Sequence, residues 1–234
     1  MATYVLVHGA WHGGWCWKRV TPLLRAAGHE VFTPTLTGVG EREHLGSEAV
    51  NLSTHVTDVV KLLEFEELTD VVLVGHSYGG MVVTGVAQRA PERLREIVYL
   101  DAFVPPDGQS TVDMVGPQGA GLFDVPDWRV PVPPSPLGDF DVTDAADLAW
   151  LRRQMRPQPL GALTEPMRLT SPLESSAFGR TYVLAAGRGI PGVFDAIADQ
   201  LRQSPAWRVT ELPTGHDMML TMPRELTGIL LSVA

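Results

Sequence analysis

The sequence predicts an α/β fold: a mainly parallel sheet with helices on both faces and one inserted segment. Three observations carry this expectation. Short apolar runs suited to buried strands alternate with stretches of helical period. One run, Val71-Val72-Leu73-Val74, leads directly through Gly75-His76-Ser77-Tyr78-Gly79-Gly80 into residues 81–87 of helical character. Between residues 105 and 175 the alternation lapses, prolines accumulate, and a single helical patch stands out near 143–156.

Taken in order, Tyr4-Val5-Leu6-Val7 is a continuous apolar run, as a strand covered on both faces requires. It ends in His8-Gly9-Ala10-Trp11-His12-Gly13-Gly14-Trp15, a loop whose glycines allow close backbone approach. Trp17, Val20, Leu24 and Ala27 share a helical face, with Gly28 as its stop. Val31-Phe32 is a short strand, and residues 34–51 read as loop. Ser53 or Thr54 caps the next helix, whose Val56, Val59, Val60 and Leu63 face one way. After the run at 71–74 and its helix, which reaches about Ala90, Arg95–Leu100 is a further strand ending on Asp101-Ala102-Phe103. Residues 105–175 are too long for a plain connection and are expected to form a cap over a core made of 1–104 and 176–234. Strands at 181–185 and 207–212 and helices around Phe194–Leu201 and Pro223–Val233 complete the core.

Bulk properties narrow the possible functions. With 18 Lys and Arg against 27 Asp and Glu, the net charge is −9. An acidic chain without a basic cluster is poorly suited to nucleic acid or an anionic membrane, and neither partner is expected. No run approaches the roughly 18 apolar residues of a membrane span. Residues 1–8 lack a basic region and a cleavage-type sequence and read as strand. Cys16 is the only cysteine, which excludes an internal disulfide and fits a cytoplasmic setting.

The segment Gly75-His76-Ser77-Tyr78-Gly79 has the strand–turn–helix context in which Gly-x-Ser-x-Gly presents a serine on a strained turn. Ser77 is therefore the candidate nucleophile, and the N–H of Tyr78 a candidate oxyanion donor. The second donor belongs to the loop after the first strand, assigned to Ala10 with Gly9 as the alternative. His8 and His12 have no Asp, Glu or Cys at metal-site spacing, so structural roles are expected and no metal. A serine hydroxyl needs a base. His216, behind Gly215 in the loop after the last strand, is the candidate; His29, His44 and His55 are not expected to meet the turn that carries the serine. An acid that orients the base must lie between residues 78 and 215 by chain order.

Together, residues 8–15, Gly75-His76-Ser77-Tyr78-Gly79-Gly80 and Gly215-His216 resemble the α/β-hydrolases. Within them the chain is similar to the branch of plant methyl-ester esterases, hydroxynitrile lyases and bacterial esterases, over residues 3–233 apart from a loosely matching cap. The resemblance implies an α/β-hydrolase fold, a Ser–His–acid site, no cofactor, a small-molecule ester as substrate, and a homodimer. It also implies an aspartate after the strand at 181–185. Aligning on Gly189-Ile190-Pro191 puts Gly187 there instead. Asp101 is the preferred replacement, at the strand end where the related haloalkane dehalogenases and some lipases look to carry their acid. Asp195 and a site without an acid stay open, and Asp217 adjoins the base too closely in sequence to accept from its ring.

Rival readings are a hydroxynitrile lyase, a cofactor-free cyclase or oxygenase, and a ligand-binding protein without turnover. The lyases carry a threonine and a lysine where this chain has Gly9 and Asp217. A haloalkane dehalogenase needs an aspartate in place of Ser77. Trp11, Phe103, Trp128, Trp150 and Met155, with Gly9, are the expected substrate-binding residues, and the few charges among them point to a neutral, hydrophobic substrate.

Overall fold

The computed structural model describes residues 1–234 except Gln118, Pro136 and Arg188–Pro191, and the side chain of Ala120. The Gly189-Ile190-Pro191 segment used above thus lies outside the described residues. Six strands form one parallel sheet: β1 (Thr3–Val7), β2 (Glu30–Phe32), β3 (Val71–His76), β4 (Leu94–Leu100), and, after a short ribbon described below, β7 (Gly179–Ala185) and β8 (Arg208–Leu212). Their order is β2-β1-β3-β4-β7-β8. Every residue of β3 is buried, so its unbroken apolar pattern is that of a parallel strand covered on both faces.

The helices pack in two groups. One contains α1 (Thr21–Ala26) with α8 (Met218–Thr221) and α9 (Pro223–Ser232); the other contains α2 (Leu52–Phe65) and α3 (Gly79–Arg89). The helix expected from Trp17 to Ala27 is interrupted: a 3-10 turn spans Gly14–Arg19 before α1 begins. Pro22 in the first turn of α1 has no N–H to continue an earlier helix, and Gly28 stops α1 at φ 86°. The cap of α2 is Asn51 rather than Ser53 or Thr54. Its side chain accepts the Thr54 N–H while the Thr54 hydroxyl accepts the Asn51 N–H.

Between β4 and β7 the chain forms α4 (Thr111–Val115), the antiparallel ribbon β5 (Arg129–Val130) with β6 (Gln158–Pro159), α5 (Ala145–Gln154) and α6 (Leu160–Thr164). Only α5 was legible beforehand. Five-residue helices are too short to be stable alone, and tertiary contact holds them: α6 packs on α2 and α4. Trp11 fastens this segment to the loop after β1. Its N–H reaches Gln158 Oε1 (3.1 Å), its indole N–H the Val130 carbonyl (3.1 Å), and its own carbonyl accepts from Arg156 N (3.0 Å). Among the described residues, no helix is long and apolar enough to cross a membrane.

The order of the sheet positions the site. From β1 the chain moves outward to β2, whereas from β3 it moves the other way to β4. The loops leaving the adjacent ends of β1 and β3 therefore diverge and open a crevice at the carboxyl edge, where open α/β sheets bind ligands.

Candidate active site

Ser77 follows β3 with φ 54°, a left-handed conformation that a non-glycine residue adopts only when its surroundings impose it. The surroundings are visible in the flanking glycines. A Cβ on Gly75 would stand 2.7 Å from the Gly79 carbonyl oxygen, and one on Gly80 only 2.1 Å from that of Phe103. The turn is tied down by Ser77 N–H to Leu100 O (3.2 Å) and by Phe103 N–H to Ser77 O (3.2 Å). Tyr78 opens α3, and Ala10 lies in the loop after β1. Neither N–H donates to a protein acceptor among the described residues. Both residues, with Ser77 and His216, line one cavity of about 260 Å³.

His216 stands in the loop after β8. Its Nδ1 is 2.6 Å from Asp101 Oδ2, and Asp101 is fully buried at the end of β4. The other Asp101 oxygen accepts the Ala185 N–H (3.1 Å), and its own N–H donates to Val183 O (2.8 Å). Like Ser77, Asp101 has positive φ (44°), so the chain turns sharply at the ends of both β3 and β4. Phe194 stacks on the His216 ring, with centroids 5.2 Å apart and planes 9° from parallel.

The other acid candidates are placed differently. Asp195 accepts the Gly192 N–H (2.6 Å) at the start of α7 (Val193–Leu201). Asp217 turns to His12, with Nε2 to Oδ2 at 3.0 Å. Gly187 has no room for a side chain, because a Cβ would lie 2.7 Å from the Thr214 backbone nitrogen. The expected aspartate position is thus closed by the loop that carries His216.

Of the expected substrate contacts, Trp11 and Phe103 line the cavity. Gly9 does not line it but packs against the serine turn, where a Cβ would meet Ser77 Cβ at 2.9 Å. Trp128, Trp150 and Met155 are not brought there. Trp128 covers Gly46 and carries the Arg129 guanidinium 5.3 Å from its ring, Trp150 sets its edge against Trp15 (5.2 Å), and Met155 is buried in the core. Aromatic content alone did not separate packing from lining. Sequence reading missed Thr111, Phe140, Asp141 and Phe194, which do line the cavity; only Phe194 had a visible signal, as part of a helix face. A larger groove of about 630 Å³ beside Val104–Asp107 and Trp207 contains none of the candidate catalytic residues.

The histidines divide by environment. His8 donates from Nδ1 to Gly9 O (2.8 Å) and accepts the Leu36 N–H at Nε2 (3.1 Å), a neutral tautomer whose burial pulls its pKa down to about 3. His55, contrary to expectation, reaches the serine turn. Its Nε2 donates to Thr37 O (2.8 Å), leaving Nδ1 to accept the hydroxyl of Tyr78 (2.8 Å), the residue after Ser77. His76 is pushed well below the usual imidazole range, first by burial and then by His216. Its ring lies 4.5 Å from that of His216, and its Nε2 donates to the His216 carbonyl (3.1 Å).

This geometry places the chain in a class, and comparison with known proteins agrees. The model of the alpha/beta hydrolase family matches residues 4–228, and the chain belongs to that family. It is 44% identical over 239 residues to a carbendazim hydrolyzing esterase of Nocardioides sp. (strain SG-4G), covering 97% of each chain. It is 39% identical over 103 residues to salicylic acid-binding protein 2 of Nicotiana tabacum, covering 44% of this chain and 40% of that protein. Among solved structures, an extracellular alpha/beta-hydrolase from a Paenibacillus species superposes with a TM-score of 0.88 at 27% identity, covering 100% of this chain and 99% of that one. The chain is an enzyme of carboxylesterase type.

Proposed function

We propose that the chain is a serine hydrolase that cleaves a carboxylic ester of a small, hydrophobic substrate through an acyl-enzyme. The observation that carries this reading is His216, held at 2.6 Å by the buried Asp101 while it lines the same cavity as Ser77. The roles follow from acyl-transfer chemistry. Ser77 Oγ attacks the ester carbonyl carbon as its proton passes to His216 Nε2. The tetrahedral oxyanion accepts from the Ala10 and Tyr78 N–H groups, which have no protein partner among the described residues. The bond from carbon to the alkoxy oxygen breaks, and that oxygen takes the proton from His216. Water then repeats the sequence on the acyl-enzyme, its proton going to His216 and onward to Ser77 as the acid leaves. Asp101 fixes the ring tautomer and stabilises the imidazolium formed in each half-reaction.

The cavity favours a small substrate, its walls being mostly apolar side chains such as Phe103, Leu122, Leu163 and Phe194. Residues 105–175 supply much of this wall and act as the cap. Esterase chemistry is also in keeping with the 44% identical relative, a carbendazim hydrolyzing esterase. The ligand-binding reading drew on the absent acid at Gly187, and Asp101 beside His216 weighs against it.

Intact mass after exposure to a fluorophosphonate tests the proposal. Stoichiometric labelling is expected in the unmodified protein, none in Ser77→Ala, strongly slowed labelling in Asp101→Asn and normal labelling in Asp195→Asn. An unlabelled unmodified protein would sink the hydrolase reading.

A further inference from the structure

Both ring nitrogens of His12 face oxygen. Nδ1 lies 2.7 Å from the Ala10 carbonyl and Nε2 lies 3.0 Å from Asp217 Oδ2. A peptide carbonyl has no proton to give, so Nδ1 must be the donor to Ala10. If Asp217 is ionised, Nε2 must donate as well, and the ring is an imidazolium. The surroundings favour that state. Burial opposes the charge on His12, but the Asp217 carboxylate and its hydrogen bond outweigh it and leave His12 above the usual imidazole range. Burial likewise pushes Asp217 up, yet His12, with smaller contributions from His76 and His216, holds it below the usual carboxylate range. The two residues are 1% and 0% exposed.

The pair joins two loops that the sequence separates by 205 residues. On one side, His12 fixes the carbonyl of Ala10, a residue that lines the cavity. On the other, Asp217 directly follows His216, whose carbonyl accepts from His76 (3.1 Å) and whose N–H donates to Asp141 Oδ2 (3.3 Å). The packing around the pair leaves His12 little latitude: Trp15 stacks on its ring at 5.2 Å and Phe140 meets it edge-on at 5.1 Å. The other titratable groups near the pair are His76, with Nε2 3.8 Å from Asp217 Oδ1, the neutral buried His8, which feels the charge of His12, the buried Cys16 thiol, and His216 with Asp101 behind it.

We infer that the His12–Asp217 ion pair is a positioning clamp that holds the base loop in register with the oxyanion loop, so that turnover requires the proton on His12. The inference rests on the hydrolase reading for its kinetic consequence. Neither residue lines the cavity, and both act through others: His12 through Ala10, Asp217 through His216. Misplacement by about 1 Å at reacting groups can cost on the order of 100-fold in rate, so the clamp bears on kcat more than on KM. The sign of the pH effect follows. A group with a raised pKa keeps its interaction as pH climbs through the ordinary imidazole range and loses it at its own, higher pKa. The clamp therefore opens on the alkaline side.

Two measurements test it. In the unmodified protein labelled with ¹⁵N-histidine, NMR at neutral pH should show ring N–H protons on both nitrogens of His12; a single ring N–H there overturns the ion pair. The pH profile of kcat on a small activated ester should fall on the alkaline side in step with the His12 titration seen by NMR. Asp217→Asn should leave His12 neutral, abolish that fall, and lower kcat by about tenfold with KM within about twofold. A wild-type kcat that passes unchanged through the His12 titration, or full kcat in the variant, overturns the clamp. The wild-type comparison decides even if the variant does not fold. Failure of the hydrolase reading shows separately, as an unlabelled Ser77.

Discussion

Asp101 Oδ2 and His216 Nδ1 meet at 2.6 Å across 115 residues of sequence, joining the ends of β4 and β8 behind the cavity. The carboxylate comes from the strand next to the serine strand, not from the loop after β7. It reaches the ring because positive φ at Asp101 turns the chain at the strand end, while the Ala185 N–H holds its second oxygen.

On the proposed hydrolase mechanism, replacing this carboxylate with an amide should disable His216 as base without collapsing the site. Asp101→Asn preserves shape but cannot hold the same tautomer and charge, so kcat should fall by roughly 10³–10⁴-fold. Hydrolysis of an activated ester at neutral pH checks this, and a loss of less than tenfold would remove Asp101 from the mechanism.

Moving the acid back should fail. At Gly187 even a Cβ would stand 2.7 Å from Thr214 N and 2.8 Å from its Cα and carbonyl carbon, all backbone atoms that cannot step aside without shifting the His216 loop. Gly187→Asp should destabilise the protein by about 1–3 kcal/mol, as overpacking does, and should not restore activity to Asp101→Asn. Urea unfolding of the single variant and ester turnover of the double variant are the measurements. Recovered turnover would show that the loop yields.

How much of this was legible in the sequence depended on the range of the interaction. The Ser77 turn is written in consecutive residues, because a strained serine needs small neighbours in the chain itself. The parallel strands were visible as unbroken apolar runs for the same local reason. Asp101 could be named only through a resemblance and the order of strands, since nothing adjacent to it signals a partner 115 residues away. His55 was misjudged because its contact with Tyr78 arises where α2 packs on α3, a tertiary event without a spacing signature. The short helices α4 and α6 fall below the length at which periodicity can be read. Trp128 and Trp150 illustrate the converse, since large apolar side chains fill packing sites as readily as pockets.

Thr111 offers a separate probe of what the cavity accepts. Its buried hydroxyl has no protein hydrogen-bond partner among the described residues, although the residue lines the cavity. An unpaired buried hydroxyl costs about 1–3 kcal/mol. Thr111→Val, of similar shape, should therefore raise stability by about 1 kcal/mol. It should leave kcat/KM unchanged for a purely hydrocarbon ester and lower it about tenfold for one whose hydrogen-bonding group reaches position 111. A panel of paired esters and a urea titration would read both effects; equal loss on all esters would instead mark a packing defect.

The buried neutral histidines predict how stability varies with pH. His8 has its pKa lowered to about 3, by burial above all, with the Gly9 carbonyl opposing; His55 and His76 are also lowered, again chiefly by burial. When pH falls below the ordinary imidazole value of about 6.5, the unfolded chain takes up protons that the folded chain refuses. Stability must then decline with falling pH, from about 6.5 down towards 3 for His8. For one such group the slope is about 1.4 kcal/mol per pH unit within that window. His12 works in the opposite direction: its raised pKa adds stability that is fully present below the ordinary value and lost as pH rises through its own. Below about 6.5 His12 is protonated in both states and offsets nothing, so the three lowered groups predict acid lability. In His8→Gln the amide can still donate to Gly9 and accept from Leu36, but it does not titrate, so the acid decline should flatten by one group. Urea midpoints of both proteins between pH 4 and 8 measure this. Parallel curves would mean that His8 is not neutral in the folded protein.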